Sequence, residues 1–328
     1  MSDTPVYSII IPHYNIPGLL MRCLDSIPVR EDVQVIVVDD NSPEADTYQE
    51  RYPSLSRPYL EFYRATKGGG AGYARNIGIN LSKGEWLIFA DADDYFVGNL
   101  STILDTHKDD TADIIFFRSL CVMSDDTSKP SDRIGFLEAY IDQAIKTGDI
   151  NLLRYQHIVP WGKLYRRSLI LSNSIRFEEI PYSNDIVFCT LAGCKAKSIQ
   201  ISESYLYINT WRQNSLTDNF LLKPGELEVR SKACFRQYRI IYESGYAPTG
   251  RLPISDFLLQ LFYRNKNLYD VLLMRLSEIG CSKWTILRQI RGWVSGPWNK
   301  TWLYLYSVFI SPLHYLIIQG RTRFDDLS

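Results

Sequence analysis

The chain is poor in the residues that build self-contained metal or redox centres. It has four histidines, none at ligand-like spacing, which argues against a histidine metal site. Its six cysteines, Cys23, Cys121, Cys189, Cys194, Cys234 and Cys281, are scattered and include no Cys-x-x-Cys pair. Reduced thiols are therefore expected, not disulfides or a zinc site. No signal peptide precedes the first apolar segment, so the expected compartment is the cytoplasm. There is no internal repeat and no low-complexity segment. No Gly-Lys-Ser/Thr follows the glycine-rich stretch, which excludes a Walker A loop. No apolar run reaches the roughly 20 residues of a membrane span.

Charge of one sign is also lacking, since the net charge is −1. The balance hides an asymmetry. Residues 1–220 carry 21 Lys and Arg against 29 Asp and Glu, and residues 221–328 carry 15 against 8. An acidic front half excludes nucleic acid as the natural partner. The basic, aromatic-rich tail suggests an anionic partner such as a membrane surface.

What is present centres on Trp86-Leu-Ile-Phe-Ala-Asp-Ala-Asp-Asp94. A short apolar strand stops in three carboxylates, Asp91, Asp93 and Asp94. Open α/β sheets bind ligands at that edge. Asp91 and Asp93 are two apart, so they share a face if the chain stays extended. Two carboxylates can hold Mg²⁺ or Mn²⁺ and leave positions for a phosphate. They can equally cap a strand and start a turn.

In chain order, Tyr7 to Pro12 and Val33 to Val38 read as buried parallel strands, the second ending in Asp39 and Asp40. Leu19 to Ile27 is helical. Tyr59 to Tyr63 is a third strand. A glycine-rich loop, residues 67–72, runs into a helix over Tyr73 to Leu81, and its N–H groups can approach a ligand closely. Trp86 to Ala90 and Asp113 to Arg118 are further strands. This rhythm predicts a parallel sheet with helical crossovers. Asp132 to Lys146 and Ile186 to Cys194 read as helices, and Asn184 or Asp185 can cap the latter. Ser204 to Trp211 alternates like a strand. From Leu221 the reading is helical.

Four blocks carry a resemblance. Ser8-Ile-Ile-Ile-Pro-His-Tyr-Asn15, Val37-Val-Asp-Asp-Asn-Ser42, Gly72-Tyr-Ala-Arg-Asn-Ile-Gly78 and Phe89-Ala-Asp-Ala-Asp-Asp94 resemble, in order and spacing, family 2 glycosyltransferases of the GT-A fold. Trp161-Gly-Lys-Leu-Tyr-Arg-Arg167, Asn184-Asp-Ile-Val-Phe188 and Arg212-Gln-Asn-Ser-Leu-Thr217 look like the second half of bacterial polysaccharide-assembly members. The resemblance implies an α/β GT-A catalytic domain over 1–220, a mostly parallel sheet flanked by helices. Residues 221–328 would form a helical appendage.

It also implies the chemistry. A sugar moves, with inversion, from a nucleotide-diphosphate sugar to an acceptor hydroxyl, most naturally on a lipid-linked glycan in bacterial capsule, O-antigen or exopolysaccharide synthesis. Asp93, with Asp91, would hold Mn²⁺ or Mg²⁺. Asp40 would accept from the uracil N–H of a UDP-sugar, with Asp39 orienting that site. Pro12, Tyr14 and Arg75 would line the nucleotide pocket. Asp185 matches the catalytic base, although Asn184 stands where Glu is commoner. Arg212 and Lys163 are candidates for diphosphate or acceptor contacts, or else solvated or paired cations. His13 is a bystander.

Two alternatives remain open to the sequence: a sugar-1-phosphate nucleotidyltransferase and a non-catalytic nucleotide-sugar-binding protein. The tail is open too. Trp302 to Ile318 is mostly apolar, with Arg288, Arg291, Trp293, Trp298 and Lys300 upstream. It reads as a helix lying on an anionic leaflet, peripheral to the membrane, or as one packed on the protein or in a homodimer.

Overall fold

The computed structural model describes residues 4–211, 224–246, 254–284, 286, 303 and 306–318. The chain divides into two compact units, Met1–Phe220 and Leu221–Ser328.

The first unit is α/β. Its elements run β1 (Tyr7–His13), α1 (Pro17–Asp25), β2 (Val33–Asp39), a short α2 (Tyr48–Arg51), β3 (Leu60–Arg64), α3 (Gly70–Leu81), β4 (Trp86–Phe89), β5 (Tyr95–Phe96), α4 (Leu100–His107) and β6 (Ile114–Met123). There follow α5 (Gly135–Thr147), α6 (Asn151–Gln156), β7 (Lys163–Arg166), α7 (Arg167–Ser172), α8 (Asp185–Lys195) and β8 (Ile199–Trp211). One sheet has the order β3-β2-β1-β4-β7-β6-β8-β5.

β1, β2, β3 and β4 pair in parallel, as do β6 and β8. The sheet is mostly parallel, as expected; the exceptions are β7, which lies antiparallel between β4 and β6, and β5, antiparallel to β8. β7 is four residues of mixed character, Lys-Leu-Tyr-Arg. Its pairing comes from neighbours, not from a pattern of its own.

The continuous apolar runs have a simple cause. Each central strand is covered on both faces. Ile9, Ile11, Val35, Val37 and Ile88 pack with Leu20 and Leu24 of α1 and Leu104 of α4 on one face. Ile10, Ile36, Val38, Leu87 and Phe89 pack with Ala74 and Ile79 of α3 and Phe188 and Ala192 of α8 on the other. Gly78 lets α3 lie this close, since a Cβ there would meet Ile10 Cγ2 at 2.3 Å. His13 is level with Asp39, and Ile10 with Phe89, so both acidic clusters reach one edge of the sheet.

The second unit contains α9 (Pro224–Glu243), α10 (Ile254–Arg264), α11 (Lys266–Glu278) and a last helix, Ser311–Ile318. Asn265 caps α11, accepting from Leu268 N–H through its side chain. The described part of the apolar tail packs within this unit. Leu303, Tyr306 and Tyr315 join Phe262, Tyr269 and Leu272 in its core. Tyr306 donates to Asp270 and Tyr315 to Glu278. Ile310 and Leu316 are exposed. No helix among the described residues is long and apolar enough to cross a membrane. Arg212, Arg288, Arg291, Trp293, Trp298 and Lys300 lie outside the described residues.

Candidate active site

The ends of β1 and β2 are tied in a buried knot. Asp39 is fully buried. Its Oδ1 accepts from Ser42 N–H, and its Oδ2 accepts from Ser42 Oγ and His13 Nδ1, each at 2.7 Å. Ser42 Oγ in turn accepts from Asn15 N–H, and His13 Nε2 from Ile16 N–H. The Nδ1–H tautomer of His13 follows from these partners. Burial works to raise the Asp39 pKa, but the hydrogen bonds from His13 and Ser42 outweigh it and hold the carboxyl below its ordinary value. Asp39 therefore braces the loop from within. Asn15, at the end of the first motif, and Asn41, one residue before the end of the second, have positive φ, 52° and 64°. Asn tolerates that left-handed conformation better than most residues, which explains its place there.

Asp40 points the other way. Its Oδ1 accepts from Gly69 N–H and its Oδ2 from Gly70 N–H, both at 2.8 Å. The expected loop into Tyr73 is shorter than read, because α3 starts at Gly70. Its N–H groups meet a carboxylate of the protein itself, so the loop is not an open phosphate cradle. Each Asp40 oxygen retains a second lone pair. A cleft of about 450 Å³ opens here, lined by Tyr14, Asp40, Asn41, Gly68, Gly69 and Pro181 among others. Two larger clefts, about 580 and 720 Å³, involve Val6, Val33 and Glu85 at the opposite edge of the sheet, away from the carboxylates. Pro12 is buried within β1 and shapes the strand end instead of lining the cleft.

α3 is the platform that joins the halves of the site. Gly72 is in van der Waals contact with the segment before α8: an added Cβ would lie 2.1 Å from the Glu178 carbonyl oxygen. Asn76 clamps Phe177 in both directions, donating to its carbonyl and accepting from its N–H at 2.9 Å each. Arg75 is 6% exposed and forks, with Nη1 to Asn184 Oδ1 at 2.8 Å and Nη2 to Asp91 Oδ1 at 2.5 Å. Its guanidinium also sits 5.1 Å over the Phe177 ring. Arg75 is thus a bridge between the strand carboxylate and the start of α8.

Gly72→Ala tests this packing. Helix propensity alone favours Ala by about 1 kcal/mol. The clash with a backbone carbonyl is expected to reverse that sign and cost about 1–3 kcal/mol. A melting temperature at or above wild type would show that the segment yields freely.

Asp91 and Asp93 are both partly exposed, and Asp94 is buried. Asp94 is not a ligand candidate. It accepts from Tyr207 OH, Asn209 Nδ2 and Thr210 N–H, which anchors the turn to β8. Burial, then the Asp91 and Asp93 charges, push its pKa well up. Thr210 Oγ1 and Arg22 Nη2 both donate to the Asp93 carbonyl, at 2.7 and 2.5 Å. These anchors were invisible in sequence, since β8 and α1 are distant and carry no motif there.

Asp185 is the first residue of α8, where the helix dipole favours an anion. The capping role open to Asn184 is not realised, because its side chain makes no cap hydrogen bond. It serves Arg75 instead, which gives Asn a task at this position. α8 is fixed to the sheet by an aromatic cluster in which Phe188 stacks on Phe177 with centroids 3.9 Å apart and meets Phe89 and Tyr165 edge-on. Lys163 is neither a solvated cation nor a surface phosphate contact. It is buried under α8, with Nζ donating to the His157 carbonyl at 2.6 Å.

Among the described residues no group of three or more His, Cys, Asp or Glu could hold a metal ion by itself. Two partly exposed carboxylates, Asp91 and Asp93, fit the donor set of a Mg²⁺ or Mn²⁺ ion completed by substrate phosphate and water.

The geometry joins the four motifs, and comparison with known proteins decides the family. The model of glycosyl transferase family 2 matches residues 8–172, just over half of the chain. The chain is a family 2 glycosyltransferase. The enzyme is 30% identical over 214 residues to the poly(ribitol-phosphate) beta-glucosyltransferase of Bacillus spizizenii, a match spanning 61% of this chain and 31% of that protein. It thus corresponds to about a third of that relative's length. It is 26% identical over 246 residues to the putative glycosyltransferase EpsH of Bacillus subtilis, spanning 72% of this chain and 70% of EpsH. The crystal structure of S. aureus TarS 1-349 in complex with UDP-GlcNAc aligns with a TM-score of 0.60 at 18% identity, over 97% of this chain and 93% of that one. At that identity the likeness is one of fold, and the fold of the glycosyltransferase is GT-A. Family membership sets aside the nucleotidyltransferase alternative.

Proposed function

We propose that the enzyme moves a hexosyl or N-acetylhexosaminyl group from a UDP-sugar to an acceptor hydroxyl of a bacterial surface glycan, with inversion. One observation carries this reading. Arg75 joins Asp91, on the cation and donor side, to Asn184, which immediately precedes Asp185. Asp185 would take the acceptor proton as the acceptor oxygen bonds to the anomeric carbon. The bond from that carbon to the diphosphate oxygen breaks, and its electron pair leaves with UDP. Asp91 and Asp93 would hold Mn²⁺ or Mg²⁺, which supplies neutralisation of the leaving charge. Asp40 retains lone pairs for the uracil N–H beside Tyr14. Arg212, which lies outside the described residues, would add a diphosphate contact. UDP-GlcNAc is the ligand in the S. aureus TarS complex, and poly(ribitol-phosphate) appears in the names of three curated relatives, which supports donor and acceptor class alike.

A thermal-shift panel of UDP, GDP, CDP and dTDP, each with and without Mn²⁺, tests the reading. The expected result is a rise in melting temperature for UDP that requires Mn²⁺, since a ligand of the native state stabilises it by mass action. A larger rise for GDP or dTDP would change the donor class. No rise with any would count against nucleotide binding at this site.

The acceptor is proposed to be lipid-linked and reached by peripheral contact with the inner leaflet. The basic surplus of residues 221–328 and the exposed Ile310 and Leu316 support that contact. The whole chain is expected to sediment with anionic vesicles and not with neutral ones. Equal recovery in both supernatants would remove the proposal and leave homodimerisation as the alternative use of the tail.

A further inference from the structure

Lys163 is a buried ammonium group, 2% exposed, in the middle of the sheet. Burying a charge is costly unless something in the interior answers it. Part of the answer is local. Nζ donates to the His157 carbonyl and lies 4.8 Å from the Phe116 ring centroid and 5.8 Å from that of Tyr165. These contacts are neutral. Lys163 and Tyr165 are two apart on β7 and face the same side. The Tyr165 hydroxyl lies 3.7 Å from Cys189 Sγ on α8. Cys189 and Asp185 are four apart on that helix, hence on one face. The face of α8 that rests on β7 therefore carries Asp185 at its outer end, and the ammonium lies in the layer beneath.

We propose that Lys163 is a positioning residue, a buried cation that holds the Asp185 carboxylate ionised and in place to accept the acceptor proton. This rests on the assignment of Asp185 as the base. The titratable and charged groups around the pair include Cys189 on α8, Tyr165 on β7, His157 before β7, Arg75 on α3 and Glu178 in the segment before α8, whose backbone N–H donates to the Asn184 carbonyl at 3.2 Å. Burial pushes the Cys189 thiol up to about 11, and burial raises Tyr165 well above its ordinary value, so both are neutral near pH 7. His157 is driven well below its ordinary value by burial and then by the Lys163 charge, and is neutral too. Arg75 is a second cation, already engaged with Asp91 and Asn184. Burial brings Lys163 itself down to about 8, with Cys189 and Asp185 acting the other way. Lys163 is therefore still charged across the pH range in which a carboxylate base titrates.

The coupling is reciprocal, so it is readable from either partner. The midpoint of the Lys163 ¹³Cε titration is expected near 8 in wild type and lower by about half a pH unit to one unit in D185N. This variant changes one atom at a partly exposed helix start, and its reading needs no turnover. In K163M, the acid limb of kcat/KM is expected to move up by a similar amount, whereas a purely structural lysine would lower kcat/KM without moving the limb. An unchanged lysine midpoint in folded D185N overturns the proposal, whether or not K163M folds. Near wild-type turnover in D185N is a different failure: it removes Asp185 as the base, and this proposal with it. A shifted midpoint together with lost turnover supports both.

Discussion

Asp185→Asn lowers kcat by about 10²–10⁴-fold while UDP still raises the melting temperature as in wild type; this is the largest effect expected of any single change in the enzyme. The range is the usual contribution of a positioned general base. Asn keeps the shape and the helix-start position but cannot take a proton. The variant should also fold, because Asp185 is only partly buried and the helix has Phe188, Cys189 and Ala192 to hold it on the sheet. Steady-state kinetics with sugar donors of the nucleotide class that the panel selects would measure the loss. A kcat within threefold or so of wild type would mean that another group accepts the proton. The role of α8 would then be to shape the acceptor site.

Arg75→Met is expected to damage both stability and turnover. The guanidinium is 6% exposed and supplies one donor each to Asp91 and Asn184. Truncating one member of a buried charge pair costs about 3–5 kcal/mol, because the other is left without its partner. The Asp91 side chain is 32% exposed, so water can replace part of the loss and about 3 kcal/mol is the better expectation. Turnover should fall by a further 10²-fold or so, since Asp91 and the start of α8 lose their common tie and small displacements of reacting groups are expensive. Arg75→Lys should not rescue it. A single ammonium cannot reproduce a fork that reaches two acceptors at once. Denaturant melts and kinetics on both variants would check this. A Lys variant with wild-type kcat would show that charge alone matters and that the bridge does not align the two halves.

The resemblance to the family was legible because its residues combine chemistry with special backbone needs. Asn15 and Asn41 sit at positive φ, and Gly72 and Gly78 at close approaches, so these positions tolerate few substitutes. The glycine stretch shows the limit of such reading. Its composition says that backbone N–H groups are accessible, not which anion takes them. In the fold that anion is Asp40, which lies 29 residues before Gly69 in the chain. Lys163 shows the same limit. A cation between aromatics in a short segment looks the same on paper whether it faces water or the underside of a helix, and only the placement of β7 between β4 and β6 buries it.

The sequence by itself determined the α/β layers, the edge on which the carboxylates stand and the family. Those features depend on local periodicity, on strands apolar on both faces, and on residue types with few physical substitutes. The tertiary structure alone decided the antiparallel insertion of β7, the inward turn of Asp39 and Asp94, the Arg75 bridge and the burial of Lys163. Each of these is a meeting of groups far apart in the chain, set by how the two faces of one sheet are covered, and such meetings leave no periodic trace in the order of residues.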